Sequence, residues 1–217
     1  MTLKEMMSQR HVVKKYTDQD LSPEAQQEVS KRIDDLNQKF NLSMSLKVND
    51  DNGLSSLAKH FMSKNATNYI ILASKQKSDE ADEALGYAAA DLMLYVQSIG
   101  LNSWFIGGTY NHKLGQAEHL VVRSIVVIGH GQTSGAPHRS KSLSDVSDYQ
   151  QKSYPEWYKQ GIEAALLAPT AMNRQKFHFA FNDGKPKLTV APGSFAMIER
   201  GLLKYHFELG SGRHLNE

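Results

Sequence analysis

The chain has 217 residues, 25 basic against 23 acidic side chains, and no cysteine. That length suits one large domain or two small ones, and 40% hydrophobic with 22% charged residues excludes a disordered, collagen-like or coiled-coil chain. Zero cysteine removes disulfide frameworks, thiolate metal sites and thiol nucleophiles, and a formal charge of +2 is too small to point to nucleic acid or a membrane as partner.

The stretch Met1 to Lys15 is polar and basic, with no apolar segment of the kind a secretory signal needs. No apolar run approaches the roughly 18–20 residues of a bilayer span; the longest, Leu85 to Leu101, contains Asp91, Gln97 and Ser98. A soluble, cytoplasmic protein is expected. The first predicted helix is capped by Ser22 with Pro23 at its first position, and Ala25, Val29, Ile33, Leu36 and Phe40 make its apolar stripe. Ser43 to Val48 alternates as a strand, and Leu54 to Met62 reads as a short helix. The apolar run Tyr69-Ile70-Ile71-Leu72 predicts a central strand. From Asp82 to Ile99 apolar residues fall on nearly every side, the pattern of a helix buried between layers, and Gly100 is placed to end it.

Trp104 to Ile106 then runs into Gly107-Gly108, and Ser124 to Ile128 predicts another buried strand. Gln132 to Ser153 reads as a crossing connection. After it, a helix from Pro155 through Ala168, a hairpin of Phe177–Phe181 and Leu188–Ala191 about Asn182-Asp183-Gly184, and a last helix carrying Ile198, Leu202, Tyr205 and Leu209 complete the chain. Helix–strand–strand–helix thus occurs twice, the second time compressed. The expected class is α+β, antiparallel or mixed sheets packed by helices, with an internal duplication dividing one compact domain into halves 1–150 and 151–217.

Candidate chemistry sits on four loops. In Arg10-His11-Val12-Val13-Lys14-Lys15-Tyr16, an extended backbone would put Arg10, Val12 and Lys14 on one face and His11 and Lys15 on the other. Cations converging on one phosphate make strong charge-assisted bonds; read alone, the stretch is equally a solvated basic terminus on a segment too irregular to be core. Ala168-Pro169-Thr170-Ala171-Met172-Asn173-Arg174-Gln175 offers small residues and amides to a planar ligand, or is simply a helix end and loop. Trp104 to Thr109 ends a strand in two glycines that can bring bare backbone to a ligand, or form an ordinary turn. Pro137-His138-Arg139-Ser140-Lys141 adds loop cations. The nine histidines show no metal spacing, and no metal site is expected. Nucleophile-elbow, Walker and dinucleotide fingerprints are absent from the sequence.

These strings, in this order, resemble the flavin-dependent nitroreductase family. Arg10, His11, Val13, Lys14 and Tyr16 match its opening basic signature, with Val12 standing where the family has Ser. Ala168, Pro169, Asn173 and Gln175 match its Ala-Pro-Ser-x-x-Asn-x-Gln-Pro-Trp string, with Thr170 for Ser and Lys176-Phe177 for Pro-Trp. The Ala-Pro string follows the long helix here, whereas most members have the reverse. That order, with Gly86-Tyr87, Trp104-x-x-Gly-Gly-Thr, His138-x-x-Lys141 and His206-Phe207-Glu208-Leu209, is similar to a subgroup, the TM nitroreductases, in which one chain mimics the usual dimer.

The resemblance implies an FMN-dependent oxidoreductase passing electrons from NADH or NADPH to a small-molecule acceptor, nitroaromatic or quinone-like. Arg10, His11, Val12 and Lys14 would face the FMN phosphate and ribityl chain, with Arg139 and Lys141 as outer cations. Pro169, Thr170, Ala171 and Asn173 would lie against the flavin ring, and Gly107 and Gly108 near its redox-active edge. No catalytic side chain is implied, because the flavin carries the chemistry. The alternatives are a non-catalytic FMN carrier and a cofactor-less interaction module of the same fold. The basic anchor occurs only in the first half, since 149–154 offers Lys152 alone, and the Ala-Pro string only in the second. One FMN per chain is therefore expected, in a monomer or a homodimer, with the helices from Gly86 to Gly100 and from Ser194 to Gly210 packed together.

Overall fold

A computed structural model describes residues 2–150 and 154–215; Lys152 lies outside the described residues. The helix starts carry the polar caps that free N–H groups require. Ser22, Ser55 and Ser78 each accept a backbone N–H at the start of α2 (Pro23–Phe40), α3 (Ser56–Phe61) and α4 (Asp79–Ser98). Cap Ser78 starts α4 three residues earlier than its apolar pattern does, because the first turn is acidic rather than apolar. The helix α6 (Glu156–Ala165) ends before Ala168. Leu167 and Ala168 donate to Ala164 and Ala165, tightening the last turn ahead of Pro169.

The N-terminus departs from expectation. Thr2 and Glu5 form a capping box that opens α1 (Leu3–Gln9), and Met6 and Met7 are buried. A seven-residue helix is too short to show periodicity, so its polar composition hides the two methionines that it sends into the core. Lys4 Nζ donates to the Gly210 carbonyl at 2.6 Å, tying α1 to the end of α7 (Ala196–Ser211).

The strands β1 (Ser45–Lys47), β2 (Tyr69–Ser74), β3 (Asn102–Ile106) and β4 (Val121–Gly129) form an antiparallel sheet in the order β1-β2-β4-β3. Beyond β3, Val12 bridges Ser103 in parallel, with Val13 N–H donating to the Ser103 carbonyl at 3.2 Å. One sheet face, including Ile70, Leu72, Val126 and Ile128, packs toward α4. The other, including Tyr69, Ile71, Trp104 and Val127, is covered by Val13, Tyr16, Leu54 and Ala58. This two-sided burial explains the uninterrupted apolar run of β2. The strands β5 (Phe177–Asn182) and β6 (Lys185–Val190) make a separate hairpin turning at Asp183 and Gly184, both at positive φ. Within the expected connection lies a short helix, α5 (Leu143–Val146).

The helix α4 is the centre of the molecule, packed against the sheet, α1, α2 and α7. Its contact with α7 is backbone to backbone: a Cβ on Gly86 would lie 2.0 Å from the Ile198 carbonyl oxygen, and one on Gly201 2.0 Å from that of Glu83. Asp91, the charge that interrupts the apolar pattern of α4, is buried but accepts two bonds from Arg32 (2.7 and 2.6 Å) and one from the Tyr205 hydroxyl (2.9 Å). That satisfies the cost of taking a carboxylate out of water. Helix–strand–strand–helix occurs as α2-β1-β2-α4 and as α6-β5-β6-α7, but the first set carries α3 between its strands and is followed by β3 and β4. Among the described residues no helix is long and apolar enough to cross a membrane.

Candidate functional site

A cavity of about 420 Å³ lies between the segment after α1, the end of β3 with its two glycines, the 169–173 turn and the first half of α7. The bridge between Val12 and Ser103 holds the chain extended here, and its alternation decides which side chains reach the cavity. Arg10, Val12 and Lys14 line it; Val13 points into the core beneath the sheet. His11 lies outside the lining; burial, and then the nearby Arg10 and His138, hold its pKa below the ordinary value. Arg10 and His138 are therefore both within electrostatic reach of His11.

Arg10 is buried, 3% exposed, and its Nε and Nη1 have no hydrogen-bond partner. Burial lowers its pKa to about 10, still well above neutrality, so the guanidinium keeps its charge. A buried, charged donor without a partner is costly and is the usual mark of a missing ligand or water. Lys14 places its ammonium 5.2 Å from the centre of the Trp104 ring, a cation–π contact on the cavity wall. Val12 is 41% exposed and presents only methyl groups. Gly107 would bring a Cβ to 3.3 Å from the Phe195 ring, whereas Gly108 has open space before it.

The Ala-Pro string forms the opposite wall. Pro169, Thr170, Ala171 and Asn173 all line the cavity, and a 3-10 turn spans Ala171–Asn173. Met172, Asn173 and Gln175 have φ of 52°, 53° and 47°, a left-handed backbone that costs non-glycine residues about 1–3 kcal/mol each. Side chains hold it there. Glu199 accepts the Ala171 N–H at 2.6 Å, Thr170 Oγ1 accepts the Gln175 N–H at 3.0 Å, and Asn173 Nδ2 donates to the Arg139 carbonyl at 2.7 Å. Gln175, 1% exposed, donates to the Leu166 carbonyl and accepts from the Lys141 N–H. The amides therefore brace the wall.

Arg139 and Lys141 do not line the cavity: Arg139 is exposed and meets the string through its carbonyl, and Lys141 Nζ donates to the Gln175 carbonyl at 2.9 Å. Of the 137–141 loop, sequence reasoning carried Arg139 and Lys141 to the site, whereas it is His138 that lines the cavity, its Nε2 3.0 Å from the Leu166 carbonyl; the α7 residues Ile198, Glu199 and Leu202 were missed. The three- and four-residue spacing of these α7 positions is the signal that one helix face meets the cavity, although it cannot separate lining from core. Among the described residues no cluster of His, Cys, Asp and Glu could hold a metal.

The family model described as "Putative TM nitroreductase" matches residues 2–211. The fold is similar to a Thermotoga maritima crystal structure provisionally described as a nitroreductase, at TM-score 0.69 and 16% identity, over 97% of this chain and 83% of that one. It is also similar to two structures in complex with FMN, provisionally described in the same way. One is from Desulfovibrio desulfuricans (TM-score 0.53, 18% identity, 71% of this chain and 99% of that one). The other is from Exiguobacterium sibiricum (TM-score 0.53, 15% identity, 69% of this chain and 98% of that one). A search of curated proteins gave no match. A family match over nearly the whole chain, on an α+β nitroreductase-like fold, leads to one conclusion: the chain belongs to the TM nitroreductase family.

Proposed function

We propose that this protein is an FMN-dependent oxidoreductase that takes hydride from NADH or NADPH and passes electrons to a small acceptor, nitroaromatic or quinone-like. The observation that carries this reading is the buried guanidinium of Arg10, whose Nε and Nη1 are unpartnered, in the wall of the cavity. The remainder of the cavity fits the rest of FMN. Trp104, Phe195, Ile198 and Leu202 are apolar, Gly108 leaves space, and a braced turn of small residues forms a firm wall. FMN in nitroreductase-like neighbours supports the assignment.

In this reading Arg10 donates to the phosphate, and His11 beside it, kept uncharged by burial and by the neighbouring guanidinium, offers a neutral ring rather than a further cation. Lys14, held over Trp104, supplies a second cation along the ribityl chain. Pro169, Thr170, Ala171 and Asn173 support one side of the ring. Thr170 and Glu199 keep the strained wall in place, so this side of the site is formed before the ligand arrives. When bound, FMN supplies the redox chemistry; the side chains bind, orient and limit solvent. Val12 leaves the phosphate end one hydroxyl donor short of the family pattern. Residues from both halves, 1–150 and 151–217, line the cavity within one chain, which supports one FMN per chain, so a homodimer would be additional to the site.

The absorbance spectrum of the purified protein, followed by addition of NADH or NADPH, tests the reading. A flavin spectrum bleached by either donor is expected. A flavin that neither donor bleaches makes the protein a carrier, and no flavin uptake after added FMN leaves an interaction module.

A further inference from the structure

His206 lies on α7 one turn beyond Leu202, which lines the cavity, and is 1% exposed. Its Nδ1 is 2.8 Å from the Leu202 carbonyl oxygen, which can only accept, so Nδ1 carries the ring proton. Burial holds the ring neutral, with a pKa lowered to about 3. Nε2 is then a bare lone pair, buried and without a partner.

Two orphan donors lie within electrostatic reach of this orphan acceptor. Arg10 Nε and Nη1 are buried and unpartnered, and the charge of Arg10 is among the influences acting on His206. Chain geometry agrees. The helix α1, which ends one residue before Arg10, is in contact with α7, and Lys4 Nζ ties it to the Gly210 carbonyl. Arg10 and Leu202 duly line the same cavity. An unmatched donor and an unmatched acceptor each carry a full desolvation cost, and that cost falls when they meet.

We infer that His206 is a positioning residue for Arg10: its Nε2 accepts from one buried water that in turn accepts a guanidinium N–H, and this bridge turns the remaining edge of the cation toward the cavity. This rests on the reading of the cavity as an anion-holding site. A buried arginine aims its fork at an anion more precisely when a buried partner fixes its rotamer. His206 supplies that partner without adding charge, leaving the positive charge of Arg10 for the ligand.

The test begins on ligand-free protein. Histidine 15N resonances should show His206 Nδ1 protonated and Nε2 as a hydrogen-bonded acceptor, and Arg10→Met should shift Nε2 to the position of a free acceptor. An Nε2 that is protonated, unbonded or indifferent to Arg10→Met overturns the inference, whatever the cofactor. Affinities for FMN and riboflavin are then compared. His206→Leu should reduce the preference for FMN over riboflavin about tenfold, as loss of one aligned charge-assisted bond requires, with riboflavin affinity unchanged. His206→Gln, which keeps an acceptor, should restore the preference. Equal weakening of both flavins, or no rescue by Gln, makes His206 a packing residue and refutes the assignment. Failure of the wild-type protein to bind either flavin would instead remove the proposed function, while the ligand-free resonances still decide the His206–Arg10 bridge.

Discussion

Gly86→Ala provides a test in which helix propensity and packing predict opposite signs. Gly86 sits within α4, and alanine there raises helix propensity by roughly 1 kcal/mol. Propensity alone therefore predicts a more stable protein. The α7 contact predicts the reverse: the new Cβ would lie 2.0 Å from the Ile198 carbonyl oxygen, 2.8 Å from its carbonyl carbon and 3.0 Å from its Cα. Ordinary carbon contacts begin near 3.5 Å, so the helices would have to part by about 1.5 Å. Both opposing groups are backbone, and no rotamer change can relieve them. Overpacking of this kind costs about 1–3 kcal/mol or more, and separation also forfeits a quarter to a half of the attraction across the opened gap. With about 3 kcal/mol lost and 1 regained, Gly86→Ala should be less stable by about 2 kcal/mol, a fall in Tm of roughly 4–8 °C for a chain of this size. Thermal and urea unfolding followed by circular dichroism measure it, with Gly201→Ala as the reciprocal substitution, since its Cβ meets the Glu83 carbonyl oxygen at 2.0 Å. An unchanged or higher Tm in both variants would refute the close α4–α7 crossing. Because Ile198 and Leu202 line the cavity, flavin retention should fall alongside stability.

Arg10→Ala and Lys14→Ala should each weaken FMN retention by roughly 10- to 100-fold, the worth of a charge-assisted bond, with an unchanged circular dichroism spectrum. Wild-type affinity in both would displace the anchor. Flavin content against protein mass, with light scattering for size, should give one FMN per chain; two per chain, or a site that needs a second chain, would overturn the single-chain cavity. In the folded protein His206 takes a proton only near pH 3, against an ordinary value of 6.5, so between those values the unfolded chain binds the additional proton. Its contribution to stability is then full above pH 6.5 and lost as pH falls below it, at no more than about 1.4 kcal/mol per pH unit. His206→Gln should flatten that part of the acid profile, and superimposed profiles would exclude it.

Much of the architecture is local and therefore legible in the residues. The cap and stripe of α2, the apolar run of β2, the Asp183-Gly184 turn and the all-round apolar α4 each follow from periodicity and turn chemistry over a few residues. The alternation of Arg10, Val12 and Lys14 on one face was legible too, given an extended backbone, because side chains alternate whatever lies beside them. What made that backbone extended was not local: it is the bridge from Val12 to Ser103, some 90 residues away.

Other features depended on the assembled fold. The helix α1 is too short to declare itself, and its Thr2–Glu5 capping box is the only local sign of it. Nothing in Asn173 or Gln175 says whether an amide faces a ligand or braces a loop; the carbonyls of Arg139 and Leu166 decide that. Burial of Arg10 is likewise invisible in a stretch of basic residues, since composition reads such a stretch as solvated. The sequence by itself determined the elements, the strings and the charge that one segment would carry. Only the tertiary structure decided that this charge is buried and that the cavity joins segments about 160 residues apart. Periodicity reports on neighbours a few residues away, whereas burial and electrostatic partnership are set by groups that meet only after the chain has folded.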